Sequence, residues 1–325
     1  MPWLQSGWSQ LSLYINQNRI PQALLMIGNK GIGKQQLAEQ FSQSLMCFSP
    51  QADAMFCGKC QSCILFNAKT HPDYIFIAPE EAGKAIGIDA VRQLTAKLAL
   101  KPQYESYRLV VINPADSLNN ASANAFLKYL EEPTERTCLI LITDKPSKLP
   151  ATIRSRCQKL PISVSDEKLA KAWLKQQGVT EKVELLLKMS QGSPLMAKQL
   201  FDEDAVSLRT DIFSQWLKMA KAETNFVVIA EQWNKLDKAA MNLLLLWLID
   251  WVADMIKLSH HRDTAEIVSL DLKTSLQEMA ERLDLKGLYK YYDFLLLSRK
   301  RLDTQLNRQL MCEEILIQWS VLNHG

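Results

Sequence analysis

Four short, nearly uninterrupted apolar runs punctuate the first half of the chain: Ala23–Ile27, Tyr74–Ile77, Arg108–Ile112 and 138–142. Between them the apolar spacing lengthens to that of a helix. Residues 34–47 and 89–100 have this spacing, the second with Val91, Leu94, Thr95 and Leu98 on one face; a third helix opens near Asn119 and must end by Pro133. Strands without a polar face need cover on both sides, so the pattern predicts a parallel sheet between two layers of helices. After Ser163 the pattern changes. Ser165, with Glu167 and Lys168 in the first turn, opens a helix that Gly178 closes; residues 181–190 form a second, and Gly192-Ser193-Pro194 turns into a third. From 205 onward only helical periodicity remains, as in Leu243, Leu246, Trp247, Trp251 and Met255. Residues 288–322 read as one last long helix, packing Tyr289, Phe294 and Leu297 and carrying Arg299, Lys300, Arg301 and Arg308. The expected class is α/β plus all-α: an α/β domain over 1–164, a small helical domain over 165–204 and a helical domain over 205–325.

Composition narrows the function only slightly. With 47% hydrophobic and 22% charged residues the chain is neither disordered nor fibrous. Lys+Arg 38 against Asp+Glu 35 gives a net charge of +3, too mild for a nucleic-acid binder on bulk charge, so a DNA contact would need a local patch such as Lys97, Lys101, Arg108 and Lys128. The most apolar stretch, 241–256, contains Asp250 and Asp254 and falls short of the ~20 residues that cross a bilayer. No basic-then-apolar leader opens the chain, which predicts a cytoplasmic protein whose seven cysteines are thiols or metal ligands.

Two constellations carry chemistry. Gly28-Asn29-Lys30-Gly31-Ile32-Gly33-Lys34 fits G-x-x-x-x-G-K between a predicted strand and a predicted helix. There Gly28, Gly31 and Gly33 let backbone N–H groups curl toward a phosphate, and Lys34 would reach the outer phosphates. The next position, normally the Ser or Thr that holds Mg²⁺, is Gln35. The strand that should end in an acidic pair for metal and water ends in Asn113 and Pro114, with Asp116 expected to cap the following helix. These losses predict little or no ATP hydrolysis and leave ATP or ADP occupancy of the loop open. Cys47, Cys57, Cys60 and Cys63 are spaced C-x9-C-x2-C-x2-C, which lets four thiolates converge on one tetrahedral centre. Structural Zn²⁺ is the expected occupant, with an iron–sulfur cluster as the rival. Cys138 and Cys312 lie in apolar runs and are read as core, and His71, before Pro72, as a turn residue with a substitute metal ligand as the alternative.

The phosphate loop, the cysteine insertion directly behind its helix, Thr70-His71-Pro72-Asp73, Leu127-Lys128-Tyr129-Leu130-Glu131-Glu132-Pro133 and Ser155-Arg156-Cys157 follow in that order. Together, over 23–200, they resemble bacterial clamp-loader subunits of the AAA+ family. The resemblance implies an AAA+ phosphate-loop domain with a zinc-binding insertion at 47–63, a helical lid and a C-terminal helical collar. It also implies a non-hydrolysing stator in the DNA polymerase III clamp loader, with gamma/tau and delta subunits, the sliding clamp and primed DNA as partners and no membrane. Arg156 would then be an arginine finger offered in trans to a neighbour's ATP, with Arg154 as the substitute. Leu195 stands where active members place an arginine on the nucleotide. The alternatives are an active gamma/tau-type ATPase using Gln35 and Asp116 as metal ligands, and a zinc-dependent nucleic-acid-binding module.

Overall fold

A computed structural model describes residues 1–325 except 82, 105, 133, 261–265, 303–306 and 325, so the predicted helix stop at Pro133 lies outside the described residues. Five parallel strands, β1 (Ala23–Ile27), β2 (Tyr74–Ile77), β3 (Arg108–Ile112), β4 (Thr137–Thr143) and β5 (Gln158–Pro161), form one sheet in the order β2-β3-β4-β1-β5. The register aligns Ala23 with Leu139, Met26 with Leu160, Tyr74 with Leu109 and Arg108 with Thr137. Every residue of β3 and β4 is buried, as expected for central strands covered on both faces.

Helices α1 (Gln5–Asn16) and α2 (Lys34–Met46) cover one face, where Leu11, Leu37 and Phe41 meet Leu24, Met26, Val111 and Ile140. A short helix, α3 (Gln61–Asn67), lies between α2 and β2. On the other face α4 (Ile88–Leu98) and α5 (Asn120–Glu131) set Val91, Leu94 and Phe126 against Leu25, Val110 and Leu139. The single-turn helix α6 (Ala151–Arg156) leads into β5. Cys138 and Cys312 are fully buried, as read. One expectation fails here. Asn119, not Asp116, caps α5 by accepting the Ser122 N–H at 2.8 Å, because Asp116 sits in a 3-10 turn and turns its carboxylate to Thr143.

The chain divides into two compact units, Met1–Gly178 with Gln191–Met196, and Val179–Ser190 with Ala197–Gly325. Helix α7 (Glu167–Gln176) belongs to the first and α8 (Val183–Met189) to the second, while α9 (Pro194–Asp202) starts in the first and continues into the second. Asp166, rather than Ser165, caps α7 through the Lys168 N–H at 2.8 Å.

The second unit continues with α10 (Ala205–Ala220), α11 (Phe226–Asn234), α12 (Lys238–His260), α13 (Lys273–Arg282), α14 (Leu285–Arg301) and α15 (Arg308–His324). Stretch 288–322 is therefore not one helix: Asn307 Oδ1 accepts the N–H groups of Gln309 and Leu310 at 3.0 and 3.4 Å and opens a new one. Helix α12 is long and apolar enough to span a bilayer, yet Met241, Leu244, Leu248, Trp251, Val252 and Met255 are wholly buried in the protein. At the centre of the unit Trp216 and Trp319 stack with ring centroids 3.9 Å apart, and Tyr291 packs on Trp319 at 5.4 Å. The indole of Trp319 donates to the Trp216 carbonyl at 3.0 Å. Trp319→Ala removes a buried indole that joins two helices and should cost about 3–5 kcal/mol, read as a lower urea midpoint for this unit with its near-UV circular dichroism weakened.

Candidate functional site

The phosphate loop begins where β1 ends, at the carboxyl edge of a central strand, the usual ligand position in an open parallel sheet. Gly33 caps α2 in the left-handed region at φ 97, and Gly31 has φ 77. At Gly31 a side chain is also excluded by space, since a Cβ there would lie 2.8 Å from the Met196 backbone nitrogen. Lys34 is buried, and its ammonium donates to the Gly28 and Asn29 carbonyls at 2.6 and 2.8 Å. Burial lowers the pKa of Lys34, opposed by the charges of Asp144 and Asp116. Two segments of the same unit grip the loop through three hydrogen bonds: from 191–196, Leu195 N–H donates to Gly31 O (3.1 Å) and Gln191 O accepts from Asn29 Nδ2 (2.9 Å); from the N-terminus, Trp3 Nε1 donates to Ile32 O (2.8 Å).

Gln35 and Asn113, the two positions that depart from metal-holding residues, touch each other. Asn113 Nδ2 donates to Gln35 Oε1 at 2.9 Å, and Gln35 Nε2 donates to Glu39 at 2.8 Å. A neutral amide pair thus occupies the place of a hydroxyl and a carboxylate that would share a cation. The Asp116 carboxylate accepts from Thr143 Oγ1 at 2.6 Å through Oδ1. The loop thus keeps left-handed glycines at 31 and 33, and a neutral amide pair stands beside it.

The four cysteines converge as their spacing predicts. Sγ atoms of Cys47, Cys57, Cys60 and Cys63 all lie within 4.8 Å of one another, and Cys47 and Cys60 are 3.9 Å apart. Backbone N–H groups of Cys57 and Cys60 point at the sulfurs of Cys47 and Cys57, each at 3.3 Å. Hydrogen bonds from the Lys59 and Cys60 backbone hold the Cys57 thiol down to about 6, whereas burial pushes Cys63 up to about 12. Four convergent thiols of this kind suit a metal ion.

Beside this centre lies a buried polar chain that the sequence reading missed. Ser62 Oγ donates to Met46 O at 2.8 Å, which requires His71 Nε2, 3.1 Å away, to carry the proton. His71 Nδ1 then accepts the Asp73 N–H at 3.1 Å. The Asp73 carboxylate accepts the N–H groups of Gln103 and Tyr104 and pairs with Arg108 at 3.5 Å. Arg108 also donates to the Lys97 and Leu100 carbonyls, at 3.0 and 2.8 Å. Two expectations change. His71 is a buried bridge rather than a simple turn residue, and Arg108, 4% exposed, is no part of a DNA-facing patch because its charge is spent on Asp73. Lys97, Lys101 and Lys128 are exposed.

Arg156 ends α6 and is exposed, with Nη2 2.8 Å from Glu131 Oε1 and Nη1 donating to Thr152 O at 2.9 Å. Arg154 is half-buried and its Nε is a buried nitrogen without a hydrogen-bond partner, so Arg156 is the better presented of the two.

A parallel five-stranded sheet with a glycine-rich loop between β1 and α2 defines a phosphate-loop class of α/β protein, here with a four-cysteine module and an amide pair at Gln35 and Asn113. The family described as DNA polymerase III, delta subunit, matches residues 4–166, and the one described as DNA polymerase III, delta subunit, C terminal, matches 203–321. DNA polymerase III subunit delta' of Pseudomonas aeruginosa is 34% identical over 99% of this chain and 97% of its own; that of Escherichia coli is 32% identical over 98% and 94%. A DNA polymerase III gamma subunit-related protein of Thermotoga maritima, solved by crystallography, aligns with a TM-score of 0.44 at 19% identity, covering 97% of this chain and 99% of that one. The chain belongs to the family of DNA polymerase III delta-prime subunits.

Asp73→Ala would leave the Arg108 guanidinium buried without its counter-charge, at a cost of about 3–5 kcal/mol. The expected outcome is a large drop in the urea midpoint of the first unit, with the helical unit's transition unmoved.

Proposed function

We propose that this chain is the non-hydrolysing stator of the cytoplasmic DNA polymerase III clamp loader, which completes a neighbour's ATP site while its own stays silent. The gamma/tau and delta subunits are its direct partners, and it serves the sliding clamp and primed DNA through the assembly. In this reading residues 1–164, 165–204 and 205–325 act as phosphate-loop domain, lid and collar. The observation that carries it is the Gln35–Asn113 bond: a site that fills its metal position with its own amide pair is built to hold a shape.

Arg156 supplies the chemistry. A guanidinium keeps its charge at any physiological pH and presents a planar fork of donors to phosphate oxygens. At the end of α6 it is exposed, and its target in this reading is nucleotide bound by the adjacent gamma/tau subunit. There it stabilises charge on the transferring phosphoryl group, an effect worth ~10³–10⁵ in rate in related settings. Gly28, Gly31, Gly33 and Lys34 are the remnant of a nucleotide site in which Lys34 serves its own loop.

Zinc is the reading of the cysteine centre. A tetrahedron of thiolates at about 2.3 Å from Zn²⁺ has sulfurs about 3.8 Å apart, close to the 3.9 Å between Cys47 and Cys60. Its role would be to fasten the segment between α2 and α3, with on the order of 10 kcal/mol of binding free energy coupled to local folding.

Two measurements check these readings. A reconstituted clamp loader carrying Arg156→Ala should lose turnover at the neighbouring site by about 10³-fold, the variant keeping its circular dichroism and the wild-type chain alone hydrolysing no ATP. Elemental analysis of the purified chain should find one zinc per chain, abolished in Cys60→Ser; iron in its place would overturn the assignment.

A further inference from the structure

An arginine finger must reach its phosphate in one particular rotamer, yet Arg is among the side chains that lose most freedom when fixed. Helices α5 and α6 meet the difficulty with their last residues. Glu131 closes α5 and Arg156 closes α6, and the carboxylate holds Nη2 at 2.8 Å while the Thr152 carbonyl, one turn back along α6, accepts from Nη1 at 2.9 Å. Of the five N–H donors of a guanidinium, two are engaged within the chain and three remain for an external oxyanion. The side chains of Arg156 and Glu131 are 37% and 50% exposed. Such an ion pair biases a rotamer without locking it and yields to a more highly charged phosphate. The cation at the end of α6 also complements the helix dipole, which favours the same position.

We propose that Glu131 is the positioning residue of the arginine finger: with the Thr152 carbonyl it sets the Arg156 guanidinium before a neighbour's nucleotide arrives. The inference rests on the finger reading above and adds the group that prepares it. Preorganisation of this kind acts on the transition state more than on ATP binding. It therefore predicts a fall in kcat with KM for ATP unchanged.

The test uses the reconstituted clamp loader with wild-type chain, Glu131→Gln, Arg156→Ala and the double variant. Glu131→Gln keeps the shape of the side chain and removes its charge. It should lower kcat about twofold to fivefold, the bias an exposed ion pair can impose, at constant KM. In the Arg156→Ala background it should have no further effect, because its action runs through the finger. A rate lowered by Arg156→Ala but unmoved by Glu131→Gln overturns this proposal and leaves the finger standing. A rate unmoved by Arg156→Ala overturns both. An added loss in the double variant also overturns it, by assigning Glu131 a separate structural role. If Glu131→Gln does not assemble, Glu131→Ala is measured in its place with the same outcomes.

Discussion

Because all five strands run in one direction, every strand delivers its carboxyl end to the same edge of the sheet, and the candidate site is a consequence of that constraint. The phosphate loop follows β1, Asn113 follows β3 and Thr143 ends β4. Three segments far apart in sequence therefore arrive within hydrogen-bonding distance of each other or of Gln35 and Asp116. Register and burial hold this geometry, independently of any ligand.

Lys34 and Arg156 illustrate opposite uses of a cation. The lysine is drawn inward, its proton affinity lowered by burial and its donors consumed by carbonyls of its own loop. The arginine is placed outward on a short helix, with donors to spare and a partner weak enough to release it. One unit thus holds an inward lysine at the loop after β1 and an outward arginine at the end of α6, on separate elements.

Much of this was legible in the sequence, for physical reasons. The four strands are continuous apolar runs, and such runs have few other folded fates, so their limits were read to within a residue at either end. The cysteine cluster was legible because its spacing encodes its geometry. Strand β5 was not, because an edge strand buries little, and here Leu160 is its one buried residue. Helix α1 was missed too: its buried face, Gly7, Trp8 and Leu11, is short, and no side chain caps its start. The break before α15 turns on one capping asparagine, which periodicity outweighs. Arg108 was read as a surface charge because its partner lies 35 residues away, and Glu131 went unassigned because Arg156 is 25 residues further on (156 − 131). Pairings of that range belong to the folded chain alone.

The Gln35–Asn113 bond also ties the two positions together. With Asp in place of Asn113, the Gln35 amide would have to turn over to donate to the new carboxylate and would release Glu39; with Ser or Thr in place of Gln35, the Asn113 amide would lose its acceptor. A change at either position is therefore felt at the other, and the two substitutions are expected to be non-additive.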